Sequence, residues 1–347
     1  MRKAGVALAA LLVLTACGGE TGESAQERPE SAATSTEPAQ PPPTSQAAAD
    51  AGLRDALAEV SGTGPAAAYF EYGEPAWWRE MGVTGASGEG RRWLPASLSG
   101  LGDLARAAKA LPEATGIDPA AGERAVTIGL PPRQAFRFDG DFDAAAVRGK
   151  LTALGAQPRR FGGHDGLSFS PGAEVDLSRR LVPGVTSQLN QVVATGTTIA
   201  AAPMPQSLEA VLGKGPSLAD SPDHAAVAEC LGDVAAAMII PPQAPGTVTL
   251  YAAGLRRPAA LGDAPVNVVC VLPAASAVPA VERALTAGLA TSGRYGEHVR
   301  QVAHDRVRAG DRTVLRAVLT LREPTHVLFG AAMLQRGELQ ALAAGRR

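Results

Sequence analysis

Ala125-Val126-Thr127-Ile128-Gly129-Leu130 and Gln134-Ala135-Phe136-Arg137-Phe138 are two short runs of β-forming residues in close succession. β-Branched and aromatic side chains suit the half-buried surface of a pleated sheet, so both runs predict strands. Asp139 to Asp143 then makes a turn, and Asp143 can cap a helix running to Leu154. Gln157 to Phe161 and Leu167 to Ser170 predict two more strands, joined at Gly162-Gly163-His164-Asp165-Gly166. After an insertion, Val192 to Ala202 carries two short strands or one strand bent at Gly196, and Ser207 to Leu212 is a short helix.

The C-terminal part repeats this order. Thr247 to Ala253 and Val266 to Leu272 predict strands, and Val278 to Leu289 a helix with Val281, Leu285 and Leu289 on one face. His298 to Val307 and Thr313 to Leu321 form a hairpin turning at Ala309-Gly310-Asp311. Val327 to Met333 reads as extended and Gly337 to Ala343 as helical. Ile199-Ala200-Ala201-Ala202-Pro203-Met204-Pro205-Gln206 also matches Leu328-Phe329-Gly330-Ala331-Ala332-Met333-Leu334-Gln335 locally. The expected fold is therefore α+β: antiparallel sheets with helices on one face, in two tandem β-α-β-β-β-α modules. Asp223 to Ala237 would connect them as a helix, and the modules would occupy residues 51–240 and 241–347. The halves would pack together or share one sheet, and either way a cleft falls between them.

Before the first strand pair, Leu53, Leu57 and Val60 recur at helical spacing up to Ser61-Gly62. Ala66 to Tyr72 reads as a strand, 75–81 as a short helix opened by Pro75, and 82–92 as a Gly-rich loop. Gly102 to Ala110 reads as a longer helix. All three Trp residues fall in this region: Trp77, Trp78 and Trp93, beside Arg79, Arg91 and Arg92. Two readings compete. Either these six residues form a partner or glycan surface, or the indoles plug a core built from small residues.

The extreme N-terminus has a different character. Arg2 and Lys3 precede an apolar run from Val6 to Leu14, too short for a mature transmembrane helix and laid out as a secretory signal. Leu14-Thr15-Ala16-Cys17, followed by Gly18 and Gly19, resembles the lipobox of bacterial lipoproteins. The scarcity of Lys and the abundance of Ala, Arg, Gly and Pro make the chain similar to actinobacterial members of that class. The resemblance covers about twenty residues. It implies that residues 1–16 are removed, that Cys17 carries a diacylglyceryl, palmitate-type anchor, and that the chain sits on the outer face of the cytoplasmic membrane. Residues 17–50 would then be the lipidated Cys and a disordered tether. Residues 18–50 contain no aliphatic residue larger than Ala and no aromatic, so they cannot bury enough apolar surface to offset ordering entropy.

The formal charge is −2, and more negative still without Arg2 and Lys3, which gives no electrostatic case for nucleic acid. Of three Cys residues, Cys230 and Cys270 remain once Cys17 is lipidated. In an exported chain they are expected to pair and tie a helix to a strand; two free buried thiols are the alternative.

Local motifs for catalysis are missing. There is no G-x-S-x-G, S-x-x-K or H-E-x-x-H. Gly213-Lys214-Gly215 lacks the rest of a P-loop, and Gly62-Thr63-Gly64 meets Ala67 where a dinucleotide fingerprint needs Gly. Asp139-Gly140-Asp141-Phe142-Asp143 begins like a calcium loop but continues with Ala144 for Gly and Lys150 for the bidentate Glu. The five His residues are His164, His224, His298, His304 and His326; His298 and His304 can share a strand face, and His164-Asp165 falls at a hairpin turn, which reads as a solvated loop rather than a catalytic dyad. No catalytic residue, metal or cofactor is expected. The function expected is non-catalytic binding of a protein, cell-wall or lipid ligand, with an exported hydrolase or a lipid carrier as alternatives.

Overall fold

The computed structural model describes residues 52–83, 88–172 and 181–346. The signal, Cys17 and the tether lie outside the described residues. Helix α1 (52–58) and the single turn α2 (Pro65–Ala68) lead into strand β1 (Phe70–Gly73). Helices α3 (Pro75–Glu80), α4 (Leu94–Ser97) and α5 (Leu111–Thr115) follow, then β2 (Gly122–Ile128) and β3 (Ala135–Gly140). Next come α6 (Ala144–Ala153), β4 (Gln157–Phe161), β5 (His164–Ser168), β6 (Gln191–Ala194), β7 (Thr198–Ala202) and α7 (Pro205–Val211). The second half holds α8 (Pro222–Leu231), β8 (Ala236–Ile240), β9 (Val248–Leu255), β10 (Val266–Pro273) and α9 (Val278–Gly288). It closes with β11 (Val299–Ala309), β12 (Arg312–Leu321), α10 (Phe329–Gln335) and α11 (Glu338–Ala343).

The twelve strands among the described residues form one antiparallel sheet, in the order β11-β12-β10-β9-β8-β1-β2-β3-β7-β6-β5-β4. The fold is α+β. The halves share this sheet, which runs unbroken past residue 240 because β8 pairs both β1 and β9. Local chemistry explains several elements. The Asp143 side chain accepts the Ala146 amide at 2.9 Å and starts α6. Gly162 and Gly163, with φ of 54° and 98°, supply the two positive angles of the β4–β5 turn.

The helices do not stand on one face of the sheet, and the expectation is corrected here. Along β10, Val268, Cys270 and Leu272 pack with α8, while Val269 and Val271 pack with α9 on the other side. In the first half, Val126 and Ile128 pack with α1 and α7, while Phe136 and Phe138 pack with α5 and α6. Successive residues of a strand point to opposite faces, so continuous apolar runs such as 266–273 are the mark of a sheet covered twice.

Further elements differ from expectation. Pro65 opens a helical turn, so the strand expected from Ala66 begins only at Phe70. The segment from Gly102 is a 3₁₀ stretch ending at Ala107, not a longer α-helix. The connecting helix ends at Leu231, where Gly232 takes a φ of 64°, and the Ala-rich run behind it becomes β8. Val327 to Met333 is not extended: Phe329–Gln335 is helical. The local match of 199–206 to 328–335 therefore pairs a strand and helix start with a helix. Gly330 belongs to that helix because its amide donates to Asn267 Oδ1 at 2.7 Å, which brings it close against β9 and β10.

The disulfide joins Cys230 of α8 to Cys270 of β10 and ties helix to sheet. Among the described residues no helix is long and apolar enough to cross a membrane.

Candidate functional site

Two of the three tryptophans are withdrawn from the surface, and Trp77 is half-buried. Trp78 and Trp93 are fully buried, stacked at 5.5 Å, with Trp77 edge-on to Trp78 at 4.6 Å. They pack with Ala235, Ala236, Leu255 and Val327, plugging the sheet beside β8 and β9. Trp93 Nε1 donates to the Leu261 carbonyl at 2.8 Å. The arginines are mostly engaged. Arg92 stacks over Trp93, donates to the carbonyls of Leu261 and Asp263, and pairs with Glu323. Arg79 donates to the Ala120 carbonyl. Only Arg91, exposed, stands clear of partners among the described residues. The candidate partner surface at Trp77, Trp78, Arg79, Arg91, Arg92 and Trp93 is thus a core plug with an arginine clamp, because small residues on β8 and β9 leave room that indoles fill.

The other sequence candidates also resolve into structural roles. Asp139 accepts both contacts of Arg137 Nε, at 2.9 and 3.0 Å, and the Thr198 hydroxyl, while Asp143 caps α6. Their oxygens do not converge as a calcium loop requires. Arg124 and Arg137 both reach Glu59, which clamps the end of α1 onto the sheet. Burial raises the Glu59 pKa against the opposing pull of Arg137. Lys214 pairs with Glu209. His224 is buried against Ser221 and its pKa is lowered by desolvation. His298 packs on Phe329 at 5.0 Å, His304 lies on the charged edge strand β11, and His164 is exposed in a hairpin. Among the described residues no three His, Cys, Asp or Glu side chains gather as a metal site.

A cavity lies where sequence reasoning singled out no residue except His326. One row crosses the middle of the sheet: Phe136, Thr127, Glu71, Met238, Ala253, Val269 and Ala317 are successive cross-strand neighbours. Phe136 belongs to the core under α5 and α6; Met238, Ala253, Val269 and Ala317 belong to the core under α9 and α10. Glu71 occupies the seam between these cores. Beside it is a cavity of about 100 Å³ floored by Ala237, Ala253 and Gly254 and roofed by Leu328, Ala331 and Ala332. Asn267 holds the roof, donating to the Val327 carbonyl at 2.8 Å and accepting from Gly330.

The Glu71 carboxyl is held from two sides. Oε2 accepts the Tyr69 hydroxyl at 2.7 Å and Oε1 accepts the Gly100 amide at 3.0 Å. The turn that presents this amide lies flat on β1 and β2: a Cβ at Gly73 would run into the Ser99 carbonyl, and one at Gly100, where φ is 79°, into the Ala125 carbonyl. Burial pushes the Glu71 pKa up, its two hydrogen bonds oppose that, and the charge of Asp103 adds to the rise. No Lys or Arg pairs with it among the described residues. Its neighbour Glu74, by contrast, is paired with Arg257. The available sequence signal was an acid inside the aromatic run Tyr69-Phe70-Glu71-Tyr72, a residue type seldom buried unpaired.

That raised pKa carries a sign. The folded chain holds the Glu71 proton more tightly than the unfolded chain, so stability falls as pH rises from the ordinary value of 4.5 through the folded pKa. Gln at this position never ionises, and the Tyr69 hydroxyl can reverse to accept from its amide. Glu71→Gln is therefore expected to melt at a higher temperature than wild type at pH 7, with the gap closing towards pH 4. Thermal melts of both proteins across that range check it.

Ser99 and His326 also line the cavity, which invites a test as a Ser–His–acid relay. The geometry opposes it. His326 Nδ1 accepts the Leu328 amide at 3.2 Å, so neutral His326 carries its proton on Nε2 and has no base facing a serine. Glu71 bonds to Tyr69 and Gly100, not to His326. His326 instead stands on a ridge common to the cavity and two open clefts of about 670 and 640 Å³, one with Arg91 and Arg92, the other with His298 and Arg336.

No protein-family model and no curated protein matches this chain. A solved structure, described as crystal form IV of TP0453, is similar with a TM-score of 0.37 and 10% identity, over 81% of this chain and 99% of that one. A likeness of that size bears on neither fold nor function.

Proposed function

We propose that the protein is a lipid-anchored, extracytoplasmic binding protein whose ligand enters the seam cavity without being chemically changed. The observation that carries the binding role is Glu71: an ionisable group set in an alanine-lined cavity, with neutral donors and no cationic partner among the described residues. A half-buried carboxyl without a cationic partner marks a site where something else completes it. The two clefts that share His326 give the rest of a ligand room on either side. The unconnected Ser99, Glu71 and His326 favour binding over hydrolysis.

The anchor rests on Leu14-Thr15-Ala16-Cys17, and the Cys230–Cys270 disulfide agrees with an oxidising compartment. A protein or cell-wall component presenting a small group is the partner class that fits. Cys17→Ser is expected to move the chain from the membrane fraction to the soluble fraction and to abolish its acyl mass. A variant that stays membrane-bound, or a wild-type chain without acyl mass, contradicts the anchor.

A further inference from the structure

We propose that the seam cavity is a receptor for a primary alkylammonium group, with the Glu71 carboxylate as its counter-ion. The inference deepens the binding reading and depends on it. Three observations carry it.

The first is charge. The acids elsewhere in this sheet's interior have arginines: Glu74 has Arg257, Asp139 has Arg137, and Glu59 has Arg124 and Arg137. Among the described residues Glu71 has only the Tyr69 hydroxyl and the Gly100 amide, one on each oxygen. A carboxylate oxygen accepts more than one hydrogen bond, so each keeps capacity for an ammonium N–H. An entering cation supplies the pairing that a buried carboxylate otherwise lacks. An entering anion would be repelled, and a neutral group would leave the charge unmatched.

The second is size. At about 10–15 Å³ of space per water-sized group, a cavity of about 100 Å³ takes a handful of heavy atoms, an ammonium nitrogen and a short alkyl stem.

The third is the wall. Methyl and isobutyl groups of Ala253, Ala331, Ala332 and Leu255 suit methylenes. Both polar ends of Asn267 are already spent on the backbone of the roof. The group enters either as a small free amine or as the tip of a lysine side chain.

A ligand-observed NMR titration of the full chain in a non-ionic detergent tests this, using n-propylammonium, its neutral counterpart n-propanol, and Nα-acetyl-lysine amide. Propylammonium is expected to bind at least tenfold more tightly than propanol. Glu71→Gln is expected to erase that preference while leaving propanol binding in place. Ala332→Leu, which keeps the carboxylate and fills the hole, is expected to abolish both. Tighter binding of the lysine derivative assigns the lysine source, and tighter binding of propylammonium the free amine. Equal affinity for propylammonium and propanol, or an ammonium affinity unchanged in Glu71→Gln, overturns the inference; propanol binding that Ala332→Leu abolishes would then leave the cavity standing as a binding site. Silence from every probe overturns both.

Discussion

Replacing Cys230 and Cys270 together by Ala is expected to cost about 4 kcal/mol of stability, from the loop-entropy relation for a bridge that spans 40 residues. The bridge restrains the unfolded chain from the end of α8 through β8 and β9 into β10, across the join of the two halves. Both sulfurs are fully buried in the core that runs under the whole sheet, with Val227, Leu231 and Val268. Losing them removes packing as well as the restraint. Urea unfolding of the oxidised wild type and the double variant, followed by far-UV circular dichroism, reads the loss as a lower midpoint. Reduction of the wild type should reproduce most of it. Stabilities that differ by less than about 1 kcal/mol would mean that the unfolded chain is already restrained here, against the chain-entropy account.

Trp93→Ala is expected to cost about 3–5 kcal/mol, the range for deleting a large buried aromatic. Trp93 fills the plug with Trp78, supports Arg92 over its ring and donates to Leu261, 168 residues away. The milder substitutions separate packing from hydrogen bonding. Among the described residues Trp78 Nε1 is buried without an acceptor, so Trp78→Phe loses volume but also removes an orphan donor. Trp93→Phe loses volume and a satisfied bond. It should therefore cost more than Trp78→Phe, and the reverse order would contradict the hydrogen-bond assignment. Were these residues an exposed platform, all three changes would leave stability within about 0.5 kcal/mol of wild type.

How far the sequence carried follows from where each signal resides. The Asp143 cap and the β11–β12 hairpin are encoded within a few residues and stand where local chemistry placed them, whereas β5 begins at His164, ahead of the expected Leu167, because Gly162-Gly163 alone makes the turn. β8 was hidden because the small residues Ala235, Ala236 and Ala237 suit helix and strand alike, and only Gly232 marks the change. The run Val327 to Met333 reads as extended until Asn267, distant in sequence, accepts the Gly330 amide. The two-sided sheet was legible in principle from the unbroken apolar run 266–273, which lacks the alternation of a one-sided strand. The site was the least legible part. Glu71 stands out in its strand, but its lack of a cation depends on what β8, β9, β10 and α10 bring to the seam. No local pattern records that. The Trp cluster shows the reverse case: its sequence is conspicuous, and its role is packing.

The seam also explains why a binding protein of this kind would hold two half-cores apart. Had β1 carried a Leu in place of Glu71, the cores under α5–α6 and α9–α10 would merge and close the cavity. The stability difference with Glu71→Gln measures the cost of ionising that carboxyl.

The most direct measurement is a carbon-13 NMR titration of the Glu71 side-chain carboxyl, assigned by its loss in Glu71→Gln, with and without saturating n-propylammonium. A pKa above 4.5 is expected in the empty protein, from burial without a cationic partner, and a clear fall when the ammonium is bound. A Glu71 carboxyl that titrates at or below 4.5 and does not respond to the amine would contradict the assignment of the seam as a cation receptor.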